Sequence, residues 1–570
     1  MNREYELTRI DQAATRVPDD GALLSCPLPD VVWNRARVDP EGLALVEVGE
    51  VEDTTVSWGQ LVDGAERMAF LLLDLGVRPG EAVMVQLPNS AAFVMASLAA
   101  LRIGAVCCPV LPALGQRELS FALRRSGARV LFVADEFRKR GYADEVWAMA
   151  GAGETASLEH VLVIREGPAG KRCWEQNADT GVCFHDLTRS MATARPAKLA
   201  QRLSTLSPDM VAHLLFTSGT TGEPKGVPHR MGILNQAALL MSRRIGLSGQ
   251  DRWHIASPMA HHSGFLYGMW VALLLGGVQI LQPVWDAERA LEAFADWRGT
   301  FMQGATPFLL DMVEAVGGGA SPPDSLATFV ITGASVPRAL SARARSLLGT
   351  RVCAGWGSTE TCFATLSAPG DDLELVTATD GRPLDGVQLR IVDDDDRVMA
   401  PGEEGNLQAK GPCVFEGYLD RPDLTAQAFS ADGWYRTGDL AVLEPTGCLR
   451  ITGRVKDVIN RGGEKIPVGD IEQVLMTHPA VRDAAVVAMP DARLGERACL
   501  FAVLDRGTFL DLAAVRNFLE EEKVAKPYWP ERVEIVDTLP RNPAGKVQKF
   551  LLRQRVQGAA SRCMGEQDEI

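Results

Sequence analysis

No apolar run in the chain is long enough to cross a bilayer. The longest, residues 269–278, is interrupted by Gly276 and Gly277 and falls well short of the ~20 residues a spanning helix needs. Residues 1–20 are polar and lack the apolar centre of a secretory signal. There is no long basic run either. Acidic residues outnumber basic ones by 73 to 58, for a net charge of −15. That balance argues against broad nucleic-acid binding and against an anionic membrane surface. The eleven cysteines include no CxxC pair with a matching second pair, so no zinc site is expected. Their odd number and their places in apolar runs fit free thiols buried in a reducing cytoplasm.

What is present is ordinary for a globular enzyme: 46% hydrophobic and 23% charged residues over 570 positions. One stretch stands out. The apolar run 211–216 reads as a buried strand, and Thr217-Ser218-Gly219-Thr220-Thr221-Gly222-Glu223-Pro224-Lys225-Gly226 follows it. Three glycines let the backbone turn tightly. Four hydroxyls, free N–H groups and the Lys225 charge form a nest of donors suited to a polyphosphate. It is not a Walker A loop, which ends in Gly-Lys-Ser/Thr and feeds a helix directly. Here Pro224 precedes the lysine and Gly226 follows it, so the helix is expected to start late, over 231–243.

Before this loop, helical patterns over 61–75, 90–103 and 119–126 alternate with short apolar strands at 82–87, 105–110 and 130–133. Such alternation indicates a parallel, doubly wound sheet. Residues 150–198 lose the pattern and read as an irregular excursion, with one strand candidate at 161–164. After the loop, three segments end a strand in small and hydroxyl residues: 255–264 with adjacent His261 and His262, 330–337, and 352–361. In open α/β sheets ligands collect at such ends. Beyond 381, short β segments with Gly turns suggest an antiparallel subdomain. From about 456 an α+β pattern suits a separate domain.

These pieces together resemble the adenylate-forming superfamily of acyl-CoA synthetases, adenylation domains of peptide synthetases, and luciferases. The resemblance runs from about 56 to 549. It rests on five signatures in order: the 217–226 loop, Gly355-Trp356-Gly357-Ser358-Thr359-Glu360, Tyr435-Arg436-Thr437-Gly438-Asp439, Gly453-Arg454-Val455-Lys456-Asp457 and Asn542-Pro543-Ala544-Gly545-Lys546. It implies an α/β fold. A large N-terminal domain of doubly wound sheets with a small β subdomain, residues 1–455, would precede a mobile α+β C-terminal domain, residues 456–570.

The resemblance also implies roles. The loop, through Thr217, Ser218, Gly219, Thr220, Thr221, Gly222 and Lys225, would grip the β- and γ-phosphates of ATP. Thr359 would bond the α-phosphate beside Gly357 and Ser358, and Glu360 would hold Mg²⁺, a cation that prefers oxygen. Trp356 would stack on adenine with Gly333, Ala334 and Ser335 beside it. The family usually has Tyr there, so the phenol hydroxyl is lost. Asp439 would accept the ribose hydroxyls, with Arg454 and Ile451 in the nucleotide set. Lys546 would bridge the carboxylate and the α-phosphate as the acyl-adenylate forms. The small domain would then rotate about Lys456 and bring Arg461, Gly462, Gly463 and Lys465 to CoA. His261 would orient the acid.

The acid itself is less legible. His262, Gly264, Gly304, Gly333 and Gly355 join His261 as pocket candidates; the glycines' small size would leave room for a ring system, though glycines also serve tight strand ends. His262 stands where aryl-acid ligases carry Asn, which weakens a hydroxybenzoate reading. Trp253-His254-Ile255 lacks the Asp that holds an amino acid's ammonium. The expected activity is an ATP-dependent acyl-CoA ligase for a bulky cyclic or medium-chain acid. The alternatives are an adenylating enzyme that loads a carrier protein, or a non-catalytic nucleotide sensor, against which Lys546, Glu360 and Asp439 argue. No carrier domain is expected after Lys546.

Overall fold

A computed structural model describes residues 20–155, 157–165, 181–193, 206–217, 224–332, 338–461, 464–466, 468–491, 493–541 and 547–556. Among them, two large sheets carry the N-terminal part. The seven-stranded sheet runs, edge to edge, Lys225–Arg230, Val211–Thr217, Val106–Pro109, Ala82–Gln86, Val130–Ala134, His160–Ile164 and Cys183–Asp186. Its pairings are parallel except that of the first two strands. A nine-stranded sheet has Arg252–Ile255, Phe301–Gly304, Thr328–Thr332 and Arg351–Ser358 at its centre. These are mutually parallel. One apolar core includes side chains of both sheets, among them Val83, Leu131, Leu281 and Val330.

Local chemistry sets the element ends. The first long helix, Trp58–Asp74, starts three residues earlier than the apolar period suggests. Ser57 Oγ accepts the Gln60 N–H while Gln60 Oε1 accepts the Ser57 N–H, a reciprocal cap that satisfies two otherwise orphaned donors. Trp58, Leu61, Ala65, Met68, Ala69 and Leu72 form its buried face. The helix Ala91–Arg102 is capped by Ser90 Oγ.

Two expectations need correction. Residues 150–198 are not simply irregular: Cys183–Asp186 is the edge strand of the seven-stranded sheet and Leu187–Thr193 is helical. Only Phe184 of that strand is fully buried, so it carries almost no hydrophobic period. Residues 166–180 and 194–205 lie outside the described set. The end of the 217–226 stretch is also a strand, before the expected helix begins. Lys225–Arg230 pairs antiparallel with Val211–Thr217, Thr217 facing Lys225. Pro228 is tolerated because the strand is an edge.

Gln388–Val392, Glu404–Lys410, Tyr435–Leu443 and Leu449–Arg454 form a four-stranded antiparallel sheet, as expected for the small β subdomain. The C-terminal part has its own sheet, built on the long hairpin Val481–Asp491 and Gly495–Leu504, and its own apolar clusters. Among the described residues, two ion pairs between exposed or half-exposed groups join it to the rest, Arg482 with Glu314 at 3.5 Å and Arg450 with Asp470 at 3.6 Å; such pairs contribute little. No helix among the described residues is long and apolar enough to cross a membrane.

Candidate active site

The central strands of the nine-stranded sheet end side by side. Gly304 registers with Ile331 and Thr332 with Gly355, so the carboxyl ends of three strands form one row. Ser257 Oγ donates to the Gln303 carbonyl at 3.1 Å, which ties the 255–264 turn to that row. That turn is held from the other sheet. Asn89 Nδ2 donates to the Ile255 and Ser257 carbonyls at 3.1 and 3.0 Å, and Asn89 Oδ1 accepts the Met259 N–H at 2.8 Å. The sequence reading missed Asn89; its one signal is a Pro-Asn-Ser turn at the end of a strand. His261 caps a short helix, His262–Gly264, its Nδ1 accepting the Ser263 N–H at 3.3 Å. A π-helical stretch, Phe265–Trp270, continues it.

The strand Arg351–Ser358 turns back into Cys362–Leu366 through Thr359, Glu360 and Thr361. Reciprocal Ser358–Thr361 bonds lock the turn. His229 Nε2 donates to the Thr359 carbonyl at 2.6 Å, and Phe415 N donates to the Glu360 carbonyl at 2.7 Å. Tyr418 donates its phenol hydrogen to Glu360 Oε1 at 3.1 Å, while Lys225 Nζ lies 4.5 Å from the centre of the Tyr418 ring. The lysine of the 217–226 stretch and the candidate metal carboxylate thus share one aromatic neighbour. Tyr418 was not foreseen. A single carboxylate that leaves the remaining positions to phosphate oxygens and water is the kind of site Mg²⁺ takes, so Glu360 fits.

Trp356 and Asp439 are both buried, at 8% and 5% exposure. Trp356 Nε1 donates to Asp439 Oδ2 at 3.0 Å, and Arg454 Nε lies 3.1 Å from Oδ1. Asp439 and Arg454 are direct cross-strand partners. The indole N–H therefore has a partner that the sequence did not suggest. Asp380 also went unforeseen: its carboxylate accepts the Ile451 N–H at 2.8 Å. Burial, and secondarily the Asp439 charge, push its pKa up to about 6 against the pull of that hydrogen bond.

Of the two readings of the candidate glycines, the close packing of strand ends and turns fits the three that are described. A Cβ on Gly264 would lie 2.4 Å from the Ser257 carbonyl oxygen. On Gly304 it would lie 2.9 Å from the Phe308 ring, and on Gly355 2.9 Å from Leu366. Their missing side chains admit neighbouring protein atoms, and no free room follows from them.

His262 belongs to a buried group with His213 and His229. Ring centroids of His262 lie 5.3 Å from His213 and 5.1 Å from His229. Burial holds all three below the usual imidazole range, and His229 at about 4. Lys456, in a 3₁₀ turn Val455–Asp457, has its pKa lowered by burial and then by Arg454. Arg461 donates to Glu531 at 2.8 Å within the C-terminal part, away from the nucleotide candidates. Ser218, Gly219, Thr220, Thr221, Gly222, Gly333, Ala334, Ser335, Gly462, Gly463 and Lys546, with the side chain of Lys465, lie outside the described residues.

Comparison with known proteins adds an independent line. The family description "AMP-binding enzyme" matches residues 32–419, and "AMP-binding enzyme C-terminal domain" matches 470–546. A medium-chain fatty-acid–CoA ligase of Escherichia coli is 32% identical over 557 residues, covering 97% of this chain and 95% of that protein. A 2-hydroxy-7-methoxy-5-methyl-1-naphthoate–CoA ligase of Streptomyces carzinostaticus is 34% identical over 530 residues, 91% of each. The ATP-bound crystal structure of MatB from Rhodopseudomonas palustris superposes with a TM-score of 0.79 at 27% identity, covering 93% of this chain and 98% of that one.

Proposed function

The chain belongs to the AMP-binding enzyme family, and from that premise we propose that it is an ATP-dependent acyl-CoA ligase for a bulky cyclic or medium-chain carboxylic acid. The supporting observation is the joint: Trp356, Asp439 and Arg454 in one hydrogen-bonded group, beside the Thr359–Glu360 turn. Nucleotide and acid would meet at the row of strand ends. Asp439 accepts the ribose hydroxyls with the lone pairs that Trp356 and Arg454 leave free. Glu360, braced by Tyr418, holds Mg²⁺, which when bound neutralises phosphate charge. Lys225 and the 217–222 loop receive the pyrophosphate leaving group. The acid carboxylate attacks the α-phosphorus, and Lys546 offsets the charge that accumulates there. A CoA thiol then attacks the acyl carbon and releases AMP. In this reading the 456–570 domain turns about Lys456, an exposed lysine in the 3₁₀ turn Val455–Asp457.

A cytoplasmic setting is part of the proposal; the described cysteines are free thiols. The test is incubation with a varied acid panel, ATP, Mg²⁺ and CoA, read by mass spectrometry for the thioester and by AMP release. A parallel arm offers a phosphopantetheinylated carrier protein. Acid-dependent AMP release with an acyl-CoA product is expected; release with no acid of the panel would overturn the ligase reading.

A further inference from the structure

The phosphate-side lysine and the candidate metal carboxylate carry opposite charges in one half-buried corner. Lys225 and Glu360 are each partly exposed, and opposite charges in such a setting attract several-fold more strongly than in bulk water. Lysine has a flexible four-carbon stem, so a direct Lys225–Glu360 ion pair is the arrangement that electrostatics favours. Among the described residues that pair is not formed. Tyr418 stands between the two: its hydroxyl donates to Glu360 Oε1 at 3.1 Å, and Lys225 Nζ lies 4.5 Å from the centre of its ring.

A short segment fixed on three sides puts Tyr418 there. Phe415 N donates to the Glu360 carbonyl at 2.7 Å, Leu419 N donates to the Gly226 carbonyl at 2.9 Å, and Arg230 pairs with Glu416 at 2.8 Å. Residues 415–419 thus hang between the turn that carries Glu360 and the strand that carries Lys225. Thr425 Oγ1 accepts the Tyr418 N–H at 3.0 Å, and the Tyr418 ring meets that of Phe415 edge-on at 4.8 Å.

Packing alone is the competing explanation. Tyr418 is 8% exposed, in an apolar cluster with Val227, Phe415 and Tyr435. A phenylalanine or leucine would fill such a cluster too. Packing leaves unexplained why both special features of the side chain are in use, the hydroxyl on a carboxylate and the π face on an ammonium. These contacts hold the two charges without neutralising either. Glu360 keeps Oε2 and its remaining lone pairs for a metal, and Lys225 gives up no carboxylate partner when it turns to phosphate oxygens.

We infer that Tyr418 is a positioning residue that keeps Lys225 and Glu360 apart, so that ATP and Mg²⁺ meet two charges not yet spent on each other. This rests on the phosphate and metal roles proposed above for those two residues.

The test reads ATP binding to the full-length protein by titration calorimetry, once with Mg²⁺ and once with EDTA. The quantity compared is the ratio of the two dissociation constants; AMP affinity and melting temperature report folding. In the parent protein Mg²⁺ should strengthen ATP binding. Tyr418→Leu and Tyr418→Met both remove the ring and should lower the ratio about fivefold, the cost of first breaking a half-exposed ion pair. Tyr418→Phe leaves a ring between the charges and should retain most of the ratio. Adding Lys225→Met to Tyr418→Leu should restore it, because Glu360 then has no ammonium to collapse onto, although ATP binds more weakly in both conditions; such non-additivity marks residues that act through each other. A crystal structure of Tyr418→Leu should show Lys225 Nζ at ion-pair distance from the Glu360 carboxylate.

An unchanged ratio in folded Tyr418→Leu and Tyr418→Met would overturn the inference and leave the ligase reading intact. So would an equal ratio in Tyr418→Leu with and without Lys225→Met, or a Lys225 that stays apart from Glu360 in that crystal structure. ATP binding that Mg²⁺ does not strengthen in the parent would overturn the inference together with the metal role of Glu360. The expected pattern in a protein that activates no acid would support the inference while refuting the ligase reading.

Discussion

Replacing Asp439 by Asn probes the nucleotide site without requiring the acid to be known. The carboxylate has about four lone-pair directions. Trp356 Nε1 occupies one on Oδ2 and Arg454 Nε one on Oδ1, leaving about two for the ribose hydroxyls. An amide has one carbonyl oxygen and one NH₂. Whichever way it is turned, the NH₂ faces either the indole N–H or the guanidinium, donor against donor. Trp356 is nearly buried, so its orphaned N–H costs about 1–3 kcal/mol of stability. The Arg454 contribution is smaller, because its side chain is 33% exposed and solvent screens it. Binding loses more directly. At least one charge-assisted ribose bond disappears, worth about 1.5–3 kcal/mol, so the Kd for AMP should rise roughly 10- to 100-fold. Titration calorimetry with AMP reads the affinity, and thermal unfolding reads the stability. Adding Trp356→Phe should recover part of the stability loss, because it removes one of the opposed donors, so the two changes should not add. AMP affinity within about threefold of the parent, in a protein that melts normally, would refute Asp439 as the ribose acceptor.

Other consequences can be measured alongside. Lys546→Ala should nearly abolish acyl-adenylate formation, a loss of about 100-fold or more for a fixed cation acting on the transition state, while leaving ATP binding; unchanged pyrophosphate exchange would remove Lys546 from that step. Gly463→Leu should spare adenylation and block thioester formation, and equal loss of both would mean the residue does not line a thiol path. Asp380 carries a pH signature. Its folded pKa of about 6 lies above the ordinary carboxyl value of 3.8, so the folded state favours the protonated acid. That stabilisation is complete below about pH 3.8 and is lost as pH rises through about 6. Asp380→Asn, which keeps an acceptor for the Ile451 N–H, should remove this part of the pH dependence of the melting temperature between about pH 4 and 6. Parallel melting curves for the two proteins would show that Asp380 does not titrate there.

Periodicity and punctuation made much of the architecture legible. The Ala82–Gln86 and Val130–Ala134 strands are continuous buried runs, and the Ala91–Arg102 helix lies between a serine cap and a glycine turn. Such features depend on neighbours a few residues apart, which a linear reading can see. Cys183–Asp186 was invisible for the opposite reason: a four-residue edge strand with one buried side chain is held by its neighbour strand, not by its own pattern.

The candidate site divides in the same way. Loop, turn and lysine signatures are local sequences, so Thr217, Lys225, Glu360, Asp439 and Lys546 could be named as candidates through the family resemblance those stretches carry. Their supporting partners could not. Asn89 reaches across 168 positions to the Ser257 carbonyl, Trp356 across 83 to Asp439, and His229 across 130 to Thr359. No motif records such a pair, because the two residues become neighbours only when the sheets pack. The same packing showed that Gly264, Gly304 and Gly355 accommodate protein atoms, and it gathered three histidines into one uncharged, unsatisfied group. The sequence by itself determined the family and its class of chemistry, since the signatures that carry them sit in short contiguous stretches. Which partners hold the candidate groups was decided by the tertiary structure, because burial and long-range contact set their protonation and their hydrogen bonds.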